Sequence, residues 1–289
     1  MLDSSVFEEA VLDHEGSIRA LTEENARLTA ENQRLTSVFE QIQSELRAAS
    51  TLQLSLLPTA SDIHPRFAID WLLLPCSYLA GDNLNYFMLQ DRYLIFYQLD
   101  VAGHGVASAL LSVTLNQLLS PQPGSPMVRF DPQLELKRIV PPVDVVSELN
   151  RRFLPQGDGY FTMIYAVLDT ETGEIRFCQA GHPAPIQFSS IGEAYPVGGT
   201  GFPVGLWPDM SYDETVTTLA PGERLLLYSD GVLACLNSDG TPYPVERLQS
   251  VVSSHAPQEA LAAVKVDLEL WSGEREFPDD VSLLLLVSR

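Results

Sequence analysis

The 289-residue sequence predicts an α+β layered sandwich preceded by a coiled-coil helix. Two observations carry this. Apolar residues keep a seven-residue beat from Ile18 to Ala49. From about Phe67 the pattern changes to many short apolar runs separated by turn residues, with only two or three stretches long enough for helices. No segment of the chain repeats another, so the second part reads as one domain. The expected division is an acidic flexible tail over 1–16, a coiled-coil and linker helix over 17–57, and a globular domain over 58–289.

In the helix, Ile18, Asn25, Asn32, Phe39 and Leu46 occupy one seam position, and Leu21, Leu28, Leu35, Ile42 and Ala49 the other. Asparagines at the first seam position fix a parallel two-stranded register at some cost in stability. The pattern therefore predicts a homodimer, against the alternative of an amphipathic helix lying on its own domain. Glu24, Glu31 and Glu45 face no basic partners at Thr29, Thr36 and Ser50, so charge does little to select the partner. Thr51 to Leu57 continues the helix to Pro58, with enough apolar density to dock on the domain that follows.

In the domain, Phe67–Leu74, Tyr86–Gln90 and Tyr93–Asp100 read as strands, with a tight reversal at Asp91-Arg92. Val106–Leu119 is apolar nearly all round and predicts a buried helix. Ser120–Pro142 contains six prolines and predicts a surface excursion. Val143–Phe153 is a second helix. Phe161–Asp169 and Glu174–Gln179 form a hairpin about Thr170-Glu171-Thr172-Gly173. Ile186–Phe188, Thr215–Leu219, Arg224–Tyr228 and Val281–Val287 complete the strands, and Pro257 opens a helix over Gln258–Trp271.

The net charge of −21 argues against sequence-independent nucleic-acid binding and against an anionic membrane surface. The first residues lack the basic and apolar regions of a signal peptide, and no apolar run is long enough to span a bilayer. Cys76, Cys178 and Cys235 have no zinc spacing and read as small core residues in a reducing cytoplasm.

Four aspartates carry the chemistry: Asp82 in Ala80-Gly81-Asp82, Asp100 in Leu99-Asp100-Val101-Ala102-Gly103-His104-Gly105, Asp230 in Tyr228-Ser229-Asp230-Gly231 and Asp279 in Pro278-Asp279-Asp280. A carboxylate at the end of a core strand is costly unless a cation meets it, and Lys and Arg are scarce around all four. Convergence on divalent magnesium or manganese is the economical explanation. With Asp100 bridging two ions ~4 Å apart, a water between them becomes a hydroxide aimed at phosphorus, with no covalent intermediate. No Ser/His/Asp or Cys/His nucleophile and no phosphate-binding glycine loop competes with this reading.

These motifs, in order with Phe161-Thr162-Met163, Ala180-Gly181-His182-Pro183 and Pro221-Gly222-Glu223, resemble the metal-dependent serine/threonine phosphatase (PPM) family in its bacterial SpoIIE-type branch, over essentially Leu56 to Arg289. The resemblance implies two antiparallel β-sheets flanked by helices, with a two-metal Mn2+ or Mg2+ site at one end. It implies that Asp100 bridges the ions, the Val101 carbonyl joins one, Asp230 and Asp279 hold the other, and Asp82 acts directly or through water. Asp280 is the neighbouring, less certain ligand. It further implies a phosphoserine or phosphothreonine substrate on an anti-sigma-factor antagonist protein, in a partner-switching pathway. The chain departs from the family at Asn85, where a second carboxylate is usual, at Leu233-Ala234, and at Ser282 in place of Thr.

His104 is a candidate general acid or a structural turn residue. His182 reads as a turn residue whose ring ties loops together, and Asp169, Asp209, Asp239 and Asp267 as surface charges. Arg151 and Arg152 read as a solvated face. Two rival functions are a non-catalytic scaffold that binds the antagonist protein, and hydrolysis of a small phosphorylated messenger.

Overall fold

The computed structural model describes residues 4–59, 61–103, 105–122, 124–131, 136–153, 159–273 and 275–289. The chain divides into two units, Met1–Thr51 and Leu52–Arg289.

The first unit is a single helix. Helix α1 spans Ser4–Ser55, so the tail expected over 1–16 is helical from Ser4 onward. The seam residues Ile18, Leu21, Leu28, Leu35, Phe39 and Ile42 are all exposed. The last turn of α1, from Leu52, belongs to the second unit.

The second unit is built on two antiparallel sheets; its described residues form the strands β1 Ser61–His64, β2 Phe67–Leu74, β3 Asn83–Leu89, β4 Tyr93–Val101, β5 Val128–Asp131, β6 Leu136–Ile139, β7 Phe161–Asp169, β8 Glu174–Ala180, β9 Ile186–Phe188, β10 Ala194–Pro196, β11 Glu214–Thr218, β12 Arg224–Tyr228 and β13 Val281–Ser288. One sheet has the order β1-β2-β13-β12-β9-β10, the other β11-β8-β7-β4-β3, and β5-β6 form a separate hairpin. The remaining helices are α2 Val106–Leu118, α3 Pro142–Phe153, the short α4 Gly231–Ala234, α5 Val245–Ser254 and α6 Pro257–Ser272.

Burial on both faces explains why the central strands read as continuous apolar runs. From β4, Leu94 and Phe96 enter the space between the sheets beside Ile69, Leu227 and Leu286. The alternate residues Ile95, Tyr97 and Leu99 pack outward with Leu115 of α2 and Val145 and Leu149 of α3. Strand β13 does the same on the other side, sending Leu283 and Leu285 toward Leu248 of α5 and Leu261, Val264 and Leu268 of α6. The result is four layers, helix on sheet on sheet on helix.

Several local expectations shift. The β3–β4 reversal centres on Gln90 and Asp91, both with positive φ (56° and 54°), one residue before the expected pair. Helix α2 is not buried all round. It buries Ser108, Ala109, Ser112, Leu115 and Asn116 and leaves Val106 and Leu110 in solvent. Its small, polar face allows close approach to β3, where Asn116 Nδ2 donates to Asn83 Oδ1 at 2.9 Å and Asn83 Nδ2 donates to Ser112 Oγ at 3.1 Å. Helix α5 lies outside the expected elements, although its ten residues carry Val245, Leu248, Val251 and Val252 at helical spacing. Asp169 and Asp267 are more than surface charges. Arg92 clamps Asp169 with both its Nε and Nη2 (3.0 and 2.5 Å), and Arg247 clamps Asp267 likewise (2.6 and 2.7 Å). Arg151 and Arg152, by contrast, both turn to Glu148 on the surface of α3.

Candidate active site

Strand order brings the four aspartates together. Asp100 is the penultimate residue of β4, and Asp82 immediately precedes β3, whose first residue Asn83 pairs with Leu99. In the other sheet, β12 ends at Tyr228, two residues before Asp230, and β13 begins at Val281, two residues after Asp279. These strands are neighbours, with Tyr228 opposite Leu283. All four carboxylates therefore leave one end of the sandwich.

Two glycines permit the close approach. A Cβ on Gly81 would lie 3.1 Å from the Val101 carbonyl oxygen and 3.5 Å from that of Gly103. A Cβ on Gly231 would lie 1.9 Å from the Asp280 carbonyl oxygen, which no side chain tolerates. The Gly-Asp and Asp-Gly pairs thus press Asp82 against the Asp100 segment and Asp230 against the Asp279-Asp280 turn.

Asp280 is buried and its carboxylate is spent on the backbone. Its Oδ1 accepts from Cys76 N at 2.8 Å, and its Oδ2 accepts from Gly81 N at 2.6 Å and Asp82 N at 3.4 Å. It anchors the turn that carries Asp82. Its own N–H donates to Asp279 Oδ1 at 2.8 Å. A second anchor comes from the end of α1, where the buried Gln53 side chain grips both polar groups of Ala80. Gln53 Nε2 donates to the Ala80 carbonyl at 2.7 Å, and Ala80 N donates to Gln53 Oε1 at 3.0 Å.

A hydroxyl relay supports Asp82 from the opposite sheet. Ser282 Oγ donates to Asp82 Oδ2 at 2.6 Å and accepts from Gln98 Nε2 at 2.6 Å, while Ser229 Oγ accepts from Ser282 N at 2.9 Å. Gln98 also donates to the Ser282 carbonyl, which links the two sheets directly behind the site. Sequence reading missed Gln53, Gln98 and Ser229 as supports. The available signal was polar residues inside otherwise apolar runs.

The electrostatics are those of crowded carboxylates. Burial, then the charges of Asp230 and Asp279, push Asp100 up to about 7. Burial, with the charges of Asp100 and Asp280, raises Asp82 well above the usual carboxylate range. None of Asp82, Asp100, Asp230 or Asp280 pairs with a Lys or Arg among the described residues. Cys76 differs from the expected core cysteine. It is half-buried, and its thiol and the Asp279 and Asp280 carboxylates lie within 4.8 Å of one another. Burial, with the nearby Asp280 and Asp279 charges, pushes the thiol up to about 12, so it is protonated at neutral pH.

His182 is buried next to this end, its Nδ1 2.8 Å from the Oγ1 of Thr162, the residue paired with Asp100 across β4–β7. Burial drives its pKa down to about 3, so the ring is neutral and structural. His104 lies outside the described residues. Asn85, where the family usually carries a carboxylate, uses its Oδ1 to accept from Tyr86 N at 2.8 Å.

Phosphoserine phosphatase RsbP of Bacillus subtilis is 29% identical over 195 residues, covering 65% of this chain and 45% of that protein. Phosphoserine phosphatase RsbU of the same organism is 25% identical over 255 residues, covering 86% of this chain and 71% of that protein. The chain thus spans under half of the first relative and about seven-tenths of the second. Among solved structures, the SiaA-PP2C domain of Pseudomonas aeruginosa superposes with a TM-score of 0.69 at 22% identity, covering 86% of this chain and 98% of that one. The fold is therefore the PP2C-type sandwich. Residues 90–288, which hold Asp100, Asp230 and Asp279, match the family described as Stage II sporulation protein E (SpoIIE), and the chain belongs to that family.

Proposed function

We propose that the chain is a metal-dependent protein serine/threonine phosphatase that hydrolyses phosphoserine or phosphothreonine on an anti-sigma-factor antagonist protein. The observation that carries this is the meeting of Asp82, Asp100, Asp230 and Asp279 at one end of the sandwich, close enough that burial and the charges of Asp230 and Asp279 raise the pKa of Asp100 while Asp82 hydrogen-bonds to it. Such a donor set of hard oxygens fits divalent Mn2+ or Mg2+. Asp100, Asp230, Asp279, Asp82 and the Val101 carbonyl are the groups that would hold two such ions. When bound, these ions supply a hydroxide at neutral pH and neutralise phosphoryl charge.

The chain's own residues do the rest. Asp280 and Gln53 hold the Gly81-Asp82 turn from both sides, so Asp82 is preorganised. Ser282 and Gln98 fix the Asp82 carboxylate. Asp280 is thus better used as an anchor than as a ligand. The relatives named phosphoserine phosphatases support the substrate class.

The exposed apolar seam of α1 supports a parallel homodimer through Ile18, Leu21, Asn25, Leu28, Asn32, Leu35, Phe39, Ile42 and Leu46. No helix among the described residues is long and apolar enough to cross a membrane. A cytoplasmic location is the setting in which a partner-switching phosphatase would act.

The test is phosphate release from p-nitrophenyl phosphate and from a serine-phosphorylated antagonist protein, with manganese, magnesium or chelator. Asp100→Asn should abolish release while the protein stays folded. Unchanged turnover in that variant would remove the assignment. Tight binding of the antagonist with no turnover in saturating manganese would favour the scaffold instead.

A further inference from the structure

Next to the acidic end lies a contiguous apolar surface that the chemistry does not use. Helix α2 starts a few residues after Asp100 and turns Val106 and Leu110, one helical turn apart, into solvent. Its neighbour Leu111 would lie 3.1 Å from a Cβ placed on Gly159. Tyr160 follows, and its carbonyl accepts from Ala102 N at 3.0 Å, two residues beyond Asp100. Next to Tyr160 runs the loop carrying Phe202 and Trp207. It is tied to β7 by paired backbone bonds between Phe161 and Val204 (3.0 and 2.8 Å). Within it, a Cβ on Gly205 would lie 3.2 Å from the Gly159 carbonyl. Leu110, Tyr160, Phe202 and Trp207 are between 42% and 63% exposed and lie on adjoining segments rather than scattered singly.

The loop is held, not loose. The buried Asn150 side chain accepts from Gly205 N at 2.8 Å and donates to the Trp207 carbonyl at 3.0 Å. Phe202 and Trp207 meet edge to face, centroids 5.6 Å apart. With Pro208, Asp209 and Met210 they line a shallow pocket of about 420 Å3, room for an aromatic or leucine side chain. Rigid, half-exposed aromatics beside an open pocket are what protein-protein anchor sites are made of.

We infer that this surface, Val106, Leu110, Tyr160, Phe202 and Trp207, docks the folded phosphoprotein substrate and supplies its specificity. The inference rests on the phosphatase reading above. Position is the reason for the choice of occupant: Ala102, two residues beyond Asp100, donates to the Tyr160 carbonyl, so this surface borders the segment that carries Asp100. A phosphorylated protein meets a chain of net charge −21, and the arginines nearest in sequence to Tyr160, Arg151 and Arg152, are engaged by Glu148. Net charge therefore offers the partner no long-range attraction, and apolar contact beside the phosphoserine supplies the binding energy. A folded protein presenting phosphoserine to Asp100 covers the rim around it, and this is the apolar part of that rim. A small phosphate ester reaches the carboxylates without touching it.

The experiment compares Leu110→Ser and the double variant Phe202→Ala/Trp207→Ala with the unaltered full chain. The substrates are a purified serine-phosphorylated antagonist protein, a phosphoserine hexapeptide cut from it, and p-nitrophenyl phosphate. The expected result is a loss of tenfold or more in kcat/KM for the folded protein, carried by KM, with both small substrates within twofold of the unaltered chain. Equal losses on all three substrates, or none on the protein, would overturn the inference. So would a change in sedimentation coefficient of the variants, which would assign the surface to a second copy. If the unaltered chain hydrolyses none of the substrates, the phosphatase reading fails by itself. Calorimetric binding of the phosphorylated antagonist to Asp100→Asn then decides the docking claim, which requires at least tenfold weaker binding in the surface variants.

Discussion

Replacing Gln53 by Ala isolates the contribution of the anchor at the end of α1. The side chain makes two hydrogen bonds to the backbone of Ala80, at 2.7 and 3.0 Å, and both residues are buried. Alanine leaves a buried N–H and a buried C=O without partners, at ~1–3 kcal/mol each. Freed rotamer entropy of the glutamine offsets up to ~1.5 kcal/mol. A net loss of about 3 kcal/mol follows, which for a domain of this size lowers Tm by roughly 6–12 °C. Scanning calorimetry on the full chain reads this, alongside the fluorescence of Trp71, which packs with Leu57, Leu73 and Ala80. The control is Gln41→Ala, whose side chain is exposed and bonds to Glu45 on the same helix face, with an expected effect under ~0.5 kcal/mol. Because Ala80 leads into Gly81-Asp82, turnover of p-nitrophenyl phosphate should fall as well. Equal, small shifts in Tm for both variants would show that the Gln53–Ala80 pair does not hold this segment.

Three further outcomes are expected. Asp100 has a folded-state pKa raised to about 7, against roughly 3.9 for an unperturbed Asp. Its contribution to stability is complete below the unfolded value and is lost as pH rises through the folded one. In chelator, Tm should therefore decline between about pH 4 and 7, and Asp100→Asn should flatten that decline; an unchanged profile in the variant would contradict the crowding of carboxylates. Gly231→Ala drives a methyl into the Asp280 carbonyl, 1.9 Å away, and should cost about 3 kcal/mol with loss of turnover, read by urea unfolding and phosphate release. Leu28→Lys with Leu35→Lys places charges in the α1 seam and should convert a dimer to a monomer in sedimentation velocity, with the second unit's melting transition retained; a monomeric parent chain would refute the zipper.

Much of the architecture follows from local pattern alone. The heptad from Ile18 to Ala49 predicts a long helix, and the chain is helical from Ser4 to Ser55. The apolar runs at Tyr93, Phe161, Arg224 and Val281 are strands because burial on both faces demands uninterrupted hydrophobic residues. Asp100, Asp230 and Asp279 are conspicuous for the same reason, each lying within two residues of an end of such a run. Helix α2 shows where local pattern misleads. Its Val106 and Leu110 look like core, yet Ser112 and Asn116 face the sheet, because Asn83 supplies partners for them there.

What only the tertiary structure decided is which residues serve each other across long stretches of chain. Ser282 and Asp82 bond while 200 residues apart, and Asp280 reaches back 199 residues to Gly81. Side-chain periodicity registers neighbours within one helical turn or one strand pleat, so it reports burial but not strand order. Strand order is set by how two sheets bury their inner faces against each other. That packing turned Asp280 into an anchor and brought Gln98 and Ser229 into the support of Asp82. It also tied Tyr160 to Ala102, two residues beyond Asp100, and set the loop of Phe202 and Trp207 against β7 next to Tyr160.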